Sequence, residues 1–372
     1  GPAMKIFANV QTSHVAGITR VMNSFSHYVK SSSKEEPVEL VYMSLAADPV
    51  SGEEWRASTP PSGEKMLSYQ APVPNFGEVM RSAQTLDDVR DAYSGLTESF
   101  RIKLKEECPD IVLANGTYFV PWCLVMAARS LRIPVFLYYH GSLTKETEHW
   151  KEDLAKRLLW RMEASFDRAD IRHIFPSALI KEYVETHVFQ RPLYRKNAVV
   201  LPNPIPEAFF RARGRRVKRR IGFVGRWTRI KNTAFLVRFV EINRKAGYPF
   251  DIHVLTDEAS RKHAVRVLHD RVHFAQPRAR STDLATFYAQ MGAVICPSYF
   301  ETYGNVAQEA VASGTPAFVS PNMGVAEIFQ KVGLEDLILD FSKPRDVFKK
   351  LQSGVLDVVI SPATRRALRQ EV

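Results

Sequence analysis

Apolar and polar positions along the 372-residue chain switch repeatedly between two periods. Short apolar runs of strand length recur. Between them lie segments with apolar residues three and four apart, the spacing of one helix face. In the first half, Lys5–Val10, Val38–Leu45, Asp110–Ala114, Val135–Tyr139, Ile171–Phe175 and Val199–Leu201 read as strands. Ile18–Val29, Leu86–Glu107, Trp122–Leu131 and Thr144–Asp167 read as helices, the second stopping before Pro109 because a residue ahead of proline avoids helical backbone. Asp48–Asn75, rich in Pro, Ser and Gly, reads as a long irregular excursion.

The run Pro202-Asn203-Pro204-Ile205-Pro206 interrupts the pattern, and an arginine-rich segment follows. The alternation then restarts. Strands are expected at Arg220–Val224, Phe250–Leu255, Val272–Phe274, Ala293–Cys296 and Ala317–Val319, and helices at Thr233–Ala246, Ser281–Gln290, Val306–Ser313 and Val325–Lys331. Such alternation predicts an α/β protein with two doubly wound, Rossmann-like parallel-sheet domains, each sheet covered by helices on both faces. The expected division is 4–202, a basic linker at 203–219, and 220–372. Ligands of these sheets bind beyond the carboxyl ends of the strands, here in a central cleft that the two domains face.

Composition narrows the class. Hydrophobic residues make up 45% and charged residues 24%, which excludes disordered, collagenous and coiled-coil proteins. The length suits two domains of roughly 150 residues. Gly1-Pro2-Ala3 ahead of Met4 reads as a protease-cleavage remnant. Three widely spaced cysteines, Cys108, Cys123 and Cys296, argue for a reducing compartment and a cytoplasmic protein. The uncharged stretch Ile111–Ala128 reaches spanning length, yet Asn115-Gly116-Thr117 and Pro121 make it a strand, a turn and a buried helix. Asn115-Gly116-Thr117 also spells a glycosylation acceptor, a match near chance.

The net charge is +11, and Arg211–Lys231 alone holds ten basic residues and no acid. The rest is near neutral, which weakens a general nucleic-acid-coating role. Core packing is the favoured reading of Thr144–Asp167, whose basic and acidic residues interleave; contact with a membrane surface is the other. Arg211–Arg220 reads as a solvated linker or as a contact for anionic lipid.

Several motifs are missing: Gly-x-Gly, a Walker Gly-Lys-Ser/Thr, His-Glu-x-x-His, Gly-x-Ser-x-Gly and Cys-x-x-Cys. Those absences count against dehydrogenases, P-loop NTPases, zinc proteases and serine hydrolases. Two stretches stand out instead. In Pro297-Ser298-Tyr299-Phe300-Glu301-Thr302-Tyr303-Gly304-Asn305-Val306-Ala307-Gln308-Glu309-Ala310, a strand ends, a loop turns at Gly304, and a helix begins near Asn305. Its first N–H groups and dipole offer an anion site. Glu301 on the loop and Glu309 one turn into the helix suit sugar and ribose hydroxyls; the plainer reading is a capped helix with two solvated glutamates. In Ile221-Gly222-Phe223-Val224-Gly225-Arg226-Trp227-Thr228-Arg229-Ile230-Lys231-Asn232, a second strand leads through Gly225 into a basic loop. Arg226 and Lys231 could neutralise a diphosphate there.

Taken together, Gly-Arg-x(4)-Lys and Pro-Ser-x-x-Glu-x(7)-Glu-Ala resemble retaining glycosyltransferases of family 4, which have the GT-B fold. The resemblance extends through Ala16-Gly17-Ile18-Thr19-Arg20, Phe175-Pro176-Ser177, Leu201-Pro202-Asn203-Pro204 and Met323-Gly324-Val325-Ala326-Glu327-Ile328. It implies that Arg226 and Lys231 bind the diphosphate of a nucleotide sugar, that Glu309 takes the ribose, and that Glu301 contacts the donor sugar at the reaction centre. By the same resemblance the backbone amides of Gly304, Asn305 and Val306 help hold the phosphates or the sugar, Gly225 belongs to the substrate-binding set, Gly17 lets an N-terminal loop approach the diphosphate, and His140 is the family's cleft histidine. Thr256-Asp257 stands where the family has a Gly-x-Gly loop. The family's long C-terminal helix, which crosses back to the first domain, is expected to be missing, since the chain ends at Val372.

The implied activity is retaining, hexosyltransferase-like transfer from a UDP- or GDP-sugar to a hydroxyl of a glycan or lipid-linked acceptor in cell-surface polysaccharide synthesis. No cofactor and no metal are expected, and no nucleic acid. A peripheral contact with the anionic inner face of a membrane is the alternative reading of the basic segments, beside solvated linker and core packing. Another GT-B enzyme, an epimerase or phosphorylase, is the main rival, and a basic nucleic-acid-binding protein the second.

Overall fold

The computed structural model describes residues 3–11, 21–26, 37–49, 52–60, 63–268, 271–276, 280–354 and 357–372. They form two compact units. The first comprises Gly1–Pro176 and Ile180–Leu201; the second comprises Ser177–Leu179 and Pro202–Val372.

Unit one is built on an eight-stranded sheet: β1 (Met4–Asn9), β2 (Val38–Leu45), β3 (Trp55–Ser58), β4 (Lys65–Tyr69), β5 (Ile111–Asn115), β6 (Val135–Tyr138), β7 (Ile171–Phe175) and β8 (Ala198–Val200). The order is β3-β4-β2-β1-β5-β6-β7-β8. All neighbours are parallel except β3, which runs antiparallel to β4. The segment read as an irregular excursion therefore holds two strands, and the sheet is not wholly parallel. Leu67 and Tyr69 are buried, and Trp55 sets its ring edge-on against Tyr69 at 5.1 Å. The Pro, Ser and Gly that surround these short strands mask their alternation.

Two expected helices are each broken. Leu86–Glu107 is two helices, Leu86–Ala92 and Ser94–Glu107, parted at Tyr93. Thr85 and Asp88 form a capping box at the start of the first, and the Tyr93 hydroxyl donates to Pro74 O. Thr144–Asp167 is a short turn, Leu143–Glu146, and a separate helix, Leu154–Ala164. Asp153 restarts the chain by accepting from Lys156 N. The buried Lys156 ammonium donates to Glu148 O and Trp150 O in the intervening loop. Leu158, Leu159 and Met162 are buried, so this helix packs into the core. Ile111–Ala128 is strand, turn and helix (Phe119–Ser130) as expected. Residues 21–26 are helical and lie within the expected Ile18–Val29, whose other residues fall outside the described ones.

Unit two carries a five-stranded, all-parallel sheet: β9 (Val217–Val224), β10 (Asp251–Leu255), β11 (Val272–Ala275), β12 (Met291–Cys296) and β13 (Ala317–Val319), ordered β11-β10-β9-β12-β13. Helices Thr233–Lys245, Ser281–Gln290, Asn305–Ala312 and Val325–Lys331 follow the expected pattern. Glu258–Val267, Pro344–Gln352 and Pro362–Glu371 were not expected; each is rich in charged residues that dilute its apolar face. Residues 203–219 include the helix Glu207–Phe210 and the start of β9. The arginine run is partly structural. Arg216 donates to Gly292 O and Val358 O, Lys218 pairs with Asp357, and Arg219 pairs with Asp251.

In each sheet one strand is flanked by connections that leave in opposite directions. That strand is β1, between β2 and β5, and β9, between β10 and β12. Doubly wound sheets open a crevice at such switch points, beyond the carboxyl ends of the strands. Among the described residues no helix is long and apolar enough to cross a membrane.

Candidate functional site

In unit two the two singled-out stretches leave the ends of β9 and β12, the switch point of that sheet. After β9 the chain passes through Gly225 at φ +145°, a conformation that strongly favours glycine. It then makes one tight turn, Arg229–Lys231, and enters the helix Thr233–Lys245 through Asn232. Asn232 is left-handed at φ +59° and buried. Its Oδ1 accepts from Phe235 N, and its Nδ2 donates to Pro297 O in the other loop. Tyr299 N donates to Ile230 O in return. These bonds tie the basic loop to the loop carrying Glu301, which brings the Lys231 ammonium onto Glu301 Oε1 as an ion pair.

The second loop is as closely held. Glu301 N donates to Asn322 O, and Gly324 N donates to Glu301 O. Gly304 sits at φ +115°; a Cβ there would come within 2.9 Å of Met323 Cε and 3.0 Å of Val325 Cγ1. Both the backbone angle and the space require glycine. Gly304 is the N-cap of Asn305–Ala312, and no side chain caps that helix. Its first N–H groups carry the positive end of the dipole. One pocket is lined by Gly225, Arg226, Lys231, Glu301 and Val306 together. A concavity with two cations, a carboxylate and an uncapped helix start nearby suits an anion that also bears hydroxyls. Arg226 is largely exposed, with its Nε 3.9 Å from Asp257 Oδ2.

Glu309 and Asn305 are both engaged by neighbouring side chains. Glu309 is buried, not solvated, and its Oε1 accepts from the Tyr288 hydroxyl at 3.5 Å. Asn305 Oδ1 accepts from Asn203 Nδ2 at 2.9 Å, Gln308 Nε2 donates to Asn203 O at 2.9 Å, and the Tyr303 hydroxyl donates to Gln308 Oε1. This network sets the first turn of the helix. Thr256 is buried, and Asp257 is the N-cap of Glu258–Val267. Ser177 Oγ donates to Thr302 O, and the Glu327 carboxylate accepts from Ala178 N and Leu179 N. Burial pushes the Cys296 thiol up, which disfavours its thiolate.

His140 lies in unit one, just past β6. Its ring stacks on Tyr138 with centroids 4.5 Å apart, and Nε2 is 2.8 Å from Asn115 Oδ1. Burial holds its pKa down at about 3, so the ring is neutral across the working range. The loop that follows is anchored by Glu163, which is 1% exposed. That carboxylate accepts from the Thr117 and Ser142 hydroxyls and from Leu143 N and Thr144 N.

The structure thus gathers Gly225, Arg226, Lys231, Glu301 and Val306 around one pocket, with Gly304, Asn305 and Glu309 on the adjoining helix. His140 is in the other unit, and Gly17 lies outside the described residues. Asn9, Asn115, Glu163 and Asn232 escaped sequence reading. Asn115 was weighed only as a glycosylation match, yet it is buried and fully engaged. Asparagines closing apolar strands are the signal that could have found two of them. Among the described residues no three His, Cys, Asp or Glu side chains gather as metal ligands.

Two family models match, one in each half of the chain. "Glycosyltransferase Family 4" covers residues 82–209 and "Glycosyl transferases group 1" covers residues 218–353. The chain belongs to glycosyltransferase family 4. A D-inositol 3-phosphate glycosyltransferase of Corynebacterium kroppenstedtii is 32% identical over 148 residues, 36% of this chain and 32% of that protein. A GDP-mannose-dependent alpha-mannosyltransferase of Corynebacterium glutamicum is 22% identical over 259 residues, 68% of this chain and 61% of that protein. The chain therefore spans about a third of one relative and under two thirds of the other. Among solved structures, a sucrose-phosphate synthase from Thermosynechococcus elongatus superposes with a TM-score of 0.71 at 15% identity, covering 99% of this chain and 94% of that one. A trehalose-6-phosphate structure from E. coli, bound with UDP-2-fluoro glucose, gives 0.69 at 11% identity, covering 98% and 94%. These likenesses establish the fold, two Rossmann-like domains of the GT-B class.

Proposed function

We propose that the protein transfers a sugar from a UDP- or GDP-sugar to a hydroxyl of a glycan or lipid-linked acceptor, with retention of configuration. The observation that carries this reading is the Lys231–Glu301 pair, held by two stitched loops at the switch point of unit two beside Arg226 and the start of Asn305–Ala312. Arg226, Lys231 and that helix start would hold the diphosphate, with Gly225, Gly304, Asn305 and Val306 supplying backbone. Glu309 would take the ribose and Glu301 the sugar.

Transfer would run on one face of the sugar. The acceptor oxygen bonds to the anomeric carbon as the carbon–oxygen bond to the diphosphate breaks. The electron pair stays on the phosphate oxygen, which takes the acceptor's proton. Negative charge grows where Arg226, Lys231 and the helix dipole stand, so they favour the transition state over the bound donor. Those fixed positive groups support a reaction without metal. We place the protein in the cytoplasm, working on cell-surface polysaccharide precursors.

Thermal-shift measurements with UDP, GDP, ADP and CMP test the donor site, because selective binding raises stability by mass action. UDP or GDP should stabilise the protein, and Arg226→Ala should weaken that binding by roughly 1.5–3 kcal/mol. No response to any nucleoside diphosphate sinks the reading. Epimerised or phosphorolysed donor in the absence of acceptor would replace it with one of the rival activities.

A further inference from the structure

The arginine-rich segment that follows Pro206 is not a free linker. At its start Arg365 donates to Phe210 O, and Arg369 pairs with Glu207 and lies over the Phe210 ring at 4.3 Å. Further on, Arg216 donates to Val358 O and Lys218 pairs with Asp357. Residues 207–218 are therefore fixed alongside residues 357–371, and the two segments form one strongly basic face of unit two. The carboxylates they carry are Glu207, Asp357 and Glu371. Glu207 and Asp357 are already engaged. Arg213, Arg215 and Arg366 are exposed, and none of the three makes a hydrogen bond or an ion pair among the described residues. Arg211 is 79% exposed and only 3.8 Å from Glu207. Next to Val358, Val359 is 74% exposed, the most exposed large hydrophobic side chain among the described residues.

Like charges gathered this way repel one another, and neither packing nor pairing uses them. An anionic partner supplies what is missing. Nucleic-acid grooves set aromatic rings among their cations for bases to stack on. This face offers no such platform, since Phe209 is buried and Phe210 lies under Arg369. A bilayer surface needs spread cations and an apolar side chain that enters the headgroup layer, which is what stands here. We propose that this face docks the protein on an anionic phospholipid bilayer, with Arg211, Arg213, Arg215 and Arg366 against the headgroups and Val359 entering among them. The docking is peripheral and reversible, because each cation near the surface is worth roughly a fivefold gain in partition. The face adjoins the start of β9 at Val217, whereas Arg226 and Lys231 follow its other end at Val224. At about 3.3 Å per residue the strand holds those ends roughly 23 Å apart, so the pocket stays clear of the lipid. Docking of this kind is independent of which donor or acceptor the protein uses.

Co-sedimentation with vesicles is the test, using phosphatidylcholine alone and phosphatidylcholine mixed with phosphatidylglycerol, each at low and high salt. The protein should bind the mixed vesicles at low salt, leave them as salt screens the charges, and ignore phosphatidylcholine alone. Arg213→Ala combined with Arg215→Ala should lower partition by about 25-fold, two losses of roughly fivefold. Val359→Ser should lower it by roughly threefold and leave the salt dependence as it was. Both variants should melt with the parent and keep whatever thermal response to UDP or GDP the parent gives. Absence of binding to the mixed vesicles overturns the proposal. So does binding that neither variant weakens, which would put the contact on another face. A DNA duplex or single-stranded RNA that binds more tightly than the vesicles, and is lost in the arginine variant, overturns it in favour of a nucleic-acid partner. Vesicle binding by a protein with no transferase activity would refute the functional reading and leave the docking face standing.

Discussion

The switch points of the two sheets have the same topology and opposite chemistry. In unit one, β1 and β5 end in a neutral pair of buried asparagines, bonded to each other, that accepts one hydrogen bond from an uncharged histidine. In unit two, β9 and β12 lead to Arg226, Lys231 and Glu301, where charges face each other in a part-exposed pocket. The neutral cluster is pre-organised and indifferent to salt. Under the proposed function the charged one is exchangeable: an arriving phosphate would take Lys231 over from Glu301 and leave that carboxylate for sugar hydroxyls. The shared fold thus sets where each site lies and leaves its chemistry to a few residues at the strand ends.

Lys231→Ala should break the charged site most. Turnover should fall by roughly 10²–10³-fold, the usual cost of removing one group that stabilises transition-state charge. Stability should change by less than about 1 kcal/mol, because the pair is partly exposed. Retained turnover in kinetic assays would remove Lys231 from the chemistry.

Glu163→Leu attacks the other unit. Two hydroxyls and two backbone N–H groups lose their buried acceptor at once, so unfolding in denaturant should show a loss of roughly 3 kcal/mol or more. Diphosphate affinity of the folded fraction should hold. A loss under 1 kcal/mol would mean the loop after His140 stands without it.

The third prediction concerns acid. His140 and His173 are held neutral by burial, at about 3 and about 4. Both would take up a proton on unfolding below the ordinary histidine value of about 6.5. Because the unfolded chain binds more protons there, stability is full above that value and is lost as pH falls toward 4, by about 1.4 kcal/mol per pH unit for each ring. Trp55, Trp122, Trp150 and Trp160 lie in unit one and Trp227 in unit two, so tryptophan fluorescence of a Trp227→Phe background reports unit one. His173→Phe should remove about half the slope; a flat profile between pH 6.5 and 4 contradicts the assignment.

The smallest effect separates the two glutamates. Glu309→Gln should weaken free nucleoside-diphosphate binding by about 1 kcal/mol, whereas Glu301→Gln should leave it unchanged and lower turnover. The reverse pattern in calorimetry would exchange their roles.

Where a residue acts through its immediate neighbours in the chain, its place was legible in advance. Ser281–Gln290 and Val325–Lys331 have the expected bounds, because an apolar face at helical spacing was bounded by clear strand and turn signals. The Gly225 and Gly304 loops were visible for a similar reason, since glycine between a strand and a helix marks backbone that other residues resist. The helix break within Thr144–Asp167 was not, because it depends on Lys156 turning back to carbonyls of the loop. Nor were β3 and β4, whose burial comes from rings such as Phe100, far along the chain.

Alternation of periods, turn residues and the two glycine-led motifs were enough to establish two Rossmann-like halves and to name Arg226, Lys231, Glu301 and Glu309. These are short-range properties, carried by backbone preference and side-chain spacing within one segment. Three-dimensional packing decided that Lys231 meets Glu301 seventy residues on, that Glu309 is buried, and that Asn115 reaches back across the sheet to Asn9. A hydrogen bond or ion pair forms only when both partners are brought within about 3 Å. Which partners those are is settled by the pairing order of parallel strands, whose crossovers bring distant segments side by side.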